Sequence, residues 1–218
     1  MEISYWLSRW NKNKTGFHAS EINEHLERYW NFIGIEPKSL VFVPLCGKSL
    51  DMVWLAEQGY KVLGVEASEK ACLLFFEQAS LDYSIFTAGD FKVYKGVNIE
   101  IWCGDFFKLR KKDLPDFNAV YDRAALVAMP PGKRPAYINK IKEVTNNNLI
   151  MLLVSFTYHP TSITGPPFNV PEEEIRDLMG SQYTVMKLDS LNVLHKAKKF
   201  QNAGLLEFHE NSYLVKVM

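Results

Sequence analysis

A chain of 218 residues, 47% hydrophobic and 23% charged, is ordinary for one compact domain with a sizeable core. Lys plus Arg and Asp plus Glu each total 25, so no net field recruits nucleic acid or an anionic membrane, and a small-molecule partner is expected. Cys46, Cys72 and Cys103 form neither a CxxC nor a His-interleaved pattern, which argues against a disulfide framework or a metal site and fits a reducing cytoplasm. The amino terminus lacks a basic segment followed by a long apolar core, and no apolar run approaches the ~20 residues of a membrane span, so neither export nor a membrane is expected.

Residues 1–34 carry Trp6, Trp10, Phe17 and Trp30 at spacings that suit short amphipathic helices, read as a cover laid over a core formed by residues 35–218. From residue 39 the pattern changes to short apolar runs alternating with helical ones: strands at 39–45 and 61–66 with the helix SLDMVWLAEQG (49–59) between them. Further strands follow at 99–107, 117–124, 149–158, 183–191 and 211–218, with helices near 69–80, 132–146 and 171–180. Pro171 and the three glutamates after it mark the last helix start, because negative charge favours a helix amino terminus. The expected architecture is a single α/β domain with a doubly wound, mostly parallel, seven-stranded sheet. Its ligand crevice lies beyond the carboxyl ends of the strands.

The stretch VFVPLCGKSLDMVWL opens the first strand-turn-helix unit. Its GKS resembles a P-loop ending, but GxxxxGK[ST] requires glycine where Phe42 stands. GxGxxG fails too, because Leu45 and Leu50 occupy the flanking glycine positions around Gly47. Glu66 ends the second strand 21 residues after Leu45, near the distance at which a carboxylate meets a ribose diol. A nucleoside ligand without a pyrophosphate is what remains, and S-adenosylmethionine is such a ligand. Against this stands the plainer reading of Glu66 as a helix-capping or solvated carboxylate, of Gly47 as a bare turn and of Lys48 as a solvated charge.

The segments YWLSRWNKNKTGFH, VPLCGKSLDMVWLAEQGYKVLGVEAS, YDRAALVAM and GPPF, in this order and spacing, resemble the thiopurine S-methyltransferase family over nearly the whole chain. The resemblance implies the Rossmann-like class I S-adenosylmethionine-dependent methyltransferase fold with an N-terminal helical lid. It also implies methyl transfer to the sulfur of small aromatic or heterocyclic thiols by a bacterial-type, cytoplasmic, monomeric enzyme with a detoxifying role. Methylation of selenium or tellurium compounds, or cofactor binding without turnover, are the alternatives. Carried over by position, Trp10, Leu45, Glu66 and Arg123 contact the cofactor, with Trp6 and Phe17 in the lid and Phe17 toward the acceptor.

Asp105 and Phe106 fall where the family's adenine-binding segment lies, a carboxylate for the exocyclic amine and a ring for the base. Arg123 would stabilise or orient an anionic acceptor, although its neighbour Asp122 offers a structural ion pair instead. The family's carboxyl-terminal, substrate-facing arginine maps to Lys199, with Lys198 as the alternative, and lysine keeps the charge but not the planar fork. A Trp6–Trp10 core stripe competes with the lid role of Trp6. His18 and His159 lack a nucleophile-base constellation, and nothing marks Cys46 as an activated thiolate. An acceptor already anionic needs alignment and exclusion of water rather than a dedicated base.

Overall fold

The computed structural model describes residues 2–16, 18–159 and 165–218. Nine strands form one sheet: β1 (Leu40–Pro44), β2 (Lys61–Glu66), β3 (Ser84–Ala88), β4 (Phe91–Lys95), β5 (Ile99–Cys103), β6 (Ala119–Arg123), β7 (Ile150–Thr157), β8 (Tyr183–Asn192) and β9 (His209–Val217). Their order is β3-β4-β5-β2-β1-β6-β7-β9-β8. The five central strands β5, β2, β1, β6 and β7 pair in parallel, and antiparallel strands close both edges. Central strands are apolar along their length because both sheet faces are covered; four of the five β1 residues are buried.

The helices are α1 (Ile3–Asn11), α2 (Glu24–Tyr29), α3 (Asp51–Glu57), α4 (Glu69–Gln78), α5 (Arg134–Val144), α6 (Glu172–Met179) and α7 (Lys198–Asn202). Two cores fill the two faces of the sheet. Val41, Val43, Ile101 and Tyr121 point toward Leu26 of α2, Leu55 of α3 and Phe75 of α4. Phe42, Leu63, Val120 and Leu153 point the other way, toward Tyr137 and Ile141 of α5 and Ile175 of α6. This alternation along each strand fixes which side chains share the crevice.

All seven expected strands are present, and the count is corrected to nine by the β3–β4 hairpin. Residues of β3 are mostly exposed, so the strand lacks the apolar run by which the others were recognised. A signal for it exists: Gly89-Asp90 form a two-residue loop closed by the Ala88–Phe91 pair, with Gly89 at φ +57°. The short α7 was likewise not foreseen, and Pro171 stands just before the first helical turn of α6.

Candidate active site

The sheet order reverses between β1 and β6: from β1 the chain runs outward to β2 and β5, and from β6 it runs the other way to β7. A crevice opens at the carboxyl ends of strands flanking such a reversal. Both of its lips carry strained backbone. Leu45 after β1 has φ +49° and Ala124 after β6 has φ +63°, a conformation that costs a side-chain-bearing residue on the order of 1–2 kcal/mol. Gly47, at φ +54°, lies beneath the Trp10 indole, and a Cβ there would stand 3.3 Å from Trp10 Cζ2. Trp10 is 2% exposed, so its ring fastens α1 over the first loop.

Glu66 ends β2 with 6% exposure. One carboxylate oxygen accepts from the Gly47 N–H at 2.9 Å and the other from the Ser68 N–H at 2.8 Å. Burial raises its carboxyl above the ordinary range, while the bonds from Ser68 and Gly47 oppose that rise. Thus Glu66 ties the two loops together, and Ser68, rather than Glu66, caps α4 by accepting from Ala71. A carboxylate has about four acceptor sites. Two N–H bonds leave room for vicinal hydroxyls.

Tyr121 and Arg123 share one face of β6, whereas Asp122 points to the other. Asp122 is fully buried and accepts from Tyr137 Oη at 2.7 Å and the Leu126 N–H at 3.1 Å, so it is not the ion-pair partner of Arg123. That partner is Asp51, in the first turn of α3: Arg123 Nη1 lies 3.9 Å from Asp51 Oδ2, with side chains 17% and 1% exposed. Burial works against the Arg123 charge, but Asp51, Tyr121 and Glu210 outweigh it and raise its pKa. His18 lies half-buried in the same electrostatic neighbourhood; burial, then Lys48 and Arg123, lower its pKa, against Asp51. These surroundings favour the neutral imidazole.

Asp105 accepts from the Phe107 N–H at 2.9 Å and so caps a short 3-10 turn. Phe106 is 2% exposed, its ring packed with Phe42, Phe107 and Tyr137. Trp6 is partly buried and meets Tyr5 edge-to-face at 5.3 Å. Phe17 lies outside the described residues.

The GPPF segment is anchored twice, Lys199 Nζ donating to the Pro166 carbonyl at 3.1 Å and Tyr158 Oη to that of Pro167 at 2.9 Å, and Arg134 Nη2 donates to the Asn169 carbonyl just after it at 3.1 Å. Burial and then the Arg9 charge lower the Lys199 pKa, so Arg9 and Lys199 bring two cations to this side. Tyr158, Phe200, Leu205 and Phe208 form an apolar cluster behind them. His159 is exposed. Burial, then Glu66, push the Cys46 thiol well above its ordinary value, which makes it inert. Among the described residues, no three His, Cys, Asp or Glu side chains gather as metal ligands, and no helix is long and apolar enough to cross a membrane.

Residues 1–218 match the family described as "Thiopurine S-methyltransferase (TPMT)". The chain belongs to the thiopurine S-methyltransferase family. It is 40% identical over 215 residues to the thiopurine S-methyltransferase of Pseudomonas syringae pv. syringae (strain B728a), covering 99% of this chain and 98% of that one. To that of Pseudomonas entomophila (strain L48) it is 42% identical over 213 residues, covering 98% of both.

Solved structures similar to this one include the 1,6-didemethyltoxoflavin-N1-methyltransferase of Burkholderia thailandensis, with bound 1,6-didemethyltoxoflavin and S-adenosylhomocysteine. Its TM-score is 0.64 at 15% identity, over 99% of this chain and 87% of that one. Magnesium protoporphyrin IX methyltransferase from Synechocystis PCC 6803, with bound S-adenosylhomocysteine, scores 0.62 at 14% identity over 98% and 99%. At those identities the likeness is one of fold, that of the class I methyltransferases.

In this member of the thiopurine S-methyltransferase family, sequence reasoning missed Asp51 and Tyr121. Both stood inside segments already singled out, LDMVW and VYDRA. Period-2 alternation along β6 is the signal that puts Tyr121 on the face of Arg123, but nothing local in the sequence pairs either with a residue some 70 positions away.

Proposed function

We infer that the protein transfers the methyl group of S-adenosylmethionine to the sulfur of small aromatic or heterocyclic thiols, giving S-adenosylhomocysteine and a thioether. The observation that carries this reading is the whole-chain family match, on a chain whose strand reversal is flanked by Glu66 and Arg123. Bound S-adenosylmethionine supplies an electrophilic methyl on a sulfonium. The residues present fit it: Glu66 has acceptor capacity left for a ribose diol, and the Leu45–Gly47 turn offers backbone rather than a glycine-lined anion cradle. Trp10, Leu45, Glu66 and Arg123 would hold it, with Trp6 above and with Asp105 and Phe106 on the adenine side.

Arg123 is the cation at the reversal, and its fixed charge favours the thiolate form of an acceptor. Lys199, held on the Pro166 carbonyl, orients the acceptor from the opposite side. This favours Lys199 over Lys198 for the family's carboxyl-terminal arginine position. Phe17 belongs to the acceptor side in the same reading. Attack by an anionic acceptor sulfur then rests on alignment and exclusion of water, with α1 as part of the lid. The same proposal takes the protein as a cytoplasmic monomer with a detoxifying role.

Isotope-labelled methyl transfer to thiopurines, thiophenols, selenite and tellurite tests it. Label on the sulfur acceptors is the expected result; tight cofactor binding without transfer to any of them would overturn the enzymatic reading. In Glu66→Ala, calorimetry should show S-adenosylhomocysteine affinity reduced about tenfold or more, the loss of a buried charged acceptor. Unchanged affinity would remove the ribose role.

A further inference from the structure

We propose that Asp51 is a positioning residue for the reaction, holding the Arg123 guanidinium in its working orientation. The inference rests on the role of Arg123 proposed above. Asp51 is 1% exposed, and each carboxylate oxygen is fixed by one donor: Oδ1 by the Asn23 backbone N–H at 2.9 Å, Oδ2 by Tyr121 Oη at 2.9 Å. These donors come from opposite sides. Tyr121 belongs to the sheet, two residues before Arg123 on the same face of β6. Asn23 belongs to the cover, where its side chain caps α2 and its amide donates to Glu210 Oε1 at 3.1 Å. A carboxylate clamped in this way has one orientation.

The 3.9 Å separation between Asp51 Oδ2 and Arg123 Nη1 lies within ion-pair range and beyond a hydrogen bond. Asp51 therefore fixes the charge without using the guanidinium N–H groups, which make no hydrogen bond within the described residues. An arginine has five such donors in a rigid fork. Leaving them uncommitted while the charge is compensated suits a group that must present its donors to a ligand. Removing the counter-ion would leave a buried cation unpaired and free to reorient.

The competing reading is structural: Asp51 also places negative charge in the first turn of α3. The two readings differ in whether the effect of Asp51 passes through Arg123. Asp51→Asn is made in the wild-type and Arg123→Met backgrounds, with kcat and acceptor KM measured on a thiophenol and S-adenosylhomocysteine affinity by calorimetry. With Arg123 present, kcat should fall about tenfold or more while cofactor affinity stays within about threefold; with Arg123→Met, the same substitution should change kcat less than about twofold. Equal losses in both backgrounds, or no loss with Arg123 present, would overturn the proposal.

If Asp51→Asn does not fold, Asp51→Glu keeps the charge but displaces it by one methylene, and the same dependence on residue 123 is expected. Full kcat in Arg123→Met alone would instead remove the role of Arg123 on which the inference rests. That failure is visible without any change at Asp51.

Discussion

Gly47 shows how one residue couples backbone geometry to a site. Its φ of +54° is a conformation that a side chain disfavours, and the Trp10 ring occupies the space a Cβ would need. Gly47→Ala therefore meets both a backbone penalty and a displaced indole, and its N–H must still reach Glu66. We expect a loss of about 1–2 kcal/mol in unfolding free energy and about tenfold in S-adenosylhomocysteine affinity, read by urea denaturation and calorimetry. Unchanged values in both would mean that the loop relaxes freely and does not shape the site. Position was legible at this scale, partner was not. Arg123 could be placed at a strand end from VYDRAAL, yet sequence adjacency suggested Asp122 as its partner, and strand alternation sends that acid to Tyr137 on the other face.

At the scale of elements, the cover is seated on the core through the buried Leu26, Trp30 and Ile33, and two specific attachments join it to the crevice. Trp10 seats α1 on the Gly47 loop, and Asn23 joins the start of α2 to Asp51 and Glu210. Removal of residues 1–20 takes away the Trp10 attachment and leaves that of Asn23, so it should weaken cofactor binding by about tenfold or more while leaving the nine-stranded sheet folded. Calorimetry with S-adenosylhomocysteine and far-UV circular dichroism check the two halves of that expectation; unchanged affinity would overturn the lid. The central parallel strands were legible because burial on both faces writes an unbroken apolar run. The β3–β4 hairpin was not, since an exposed edge strand such as SIFTA needs no apolar face, and its Gly89-Asp90 turn was the readable trace.

For the whole molecule, the buried acid beside the crevice predicts how stability changes with pH. Burial pushes the Asp122 carboxyl up from 3.8 to about 6, against the bonds from Tyr137 and Leu126. In the unfolded chain it returns to its ordinary value. Between those two values the folded chain keeps a proton that the unfolded chain has released, so stability falls as pH rises through that window and levels off above it. The depth of the fall is roughly 3 kcal/mol for such a shift. Glu66, also raised by burial, acts in the same direction.

Asp122→Asn removes the titration while keeping an acceptor for the Leu126 N–H. The unfolding free energy of Asp122→Asn relative to wild type should therefore increase by roughly 2–3 kcal/mol between about pH 4 and pH 7 and change little beyond, measured by urea denaturation at each pH. A difference that stays flat across this range would show that burial does not perturb Asp122. Asp122 holds the turn after β6 through Leu126, next to the strained Ala124 and to Arg123. The stability lost as pH rises to about 6 is then a consequence of shaping that lip of the crevice, and compensation must come from the two apolar cores on either side of the sheet.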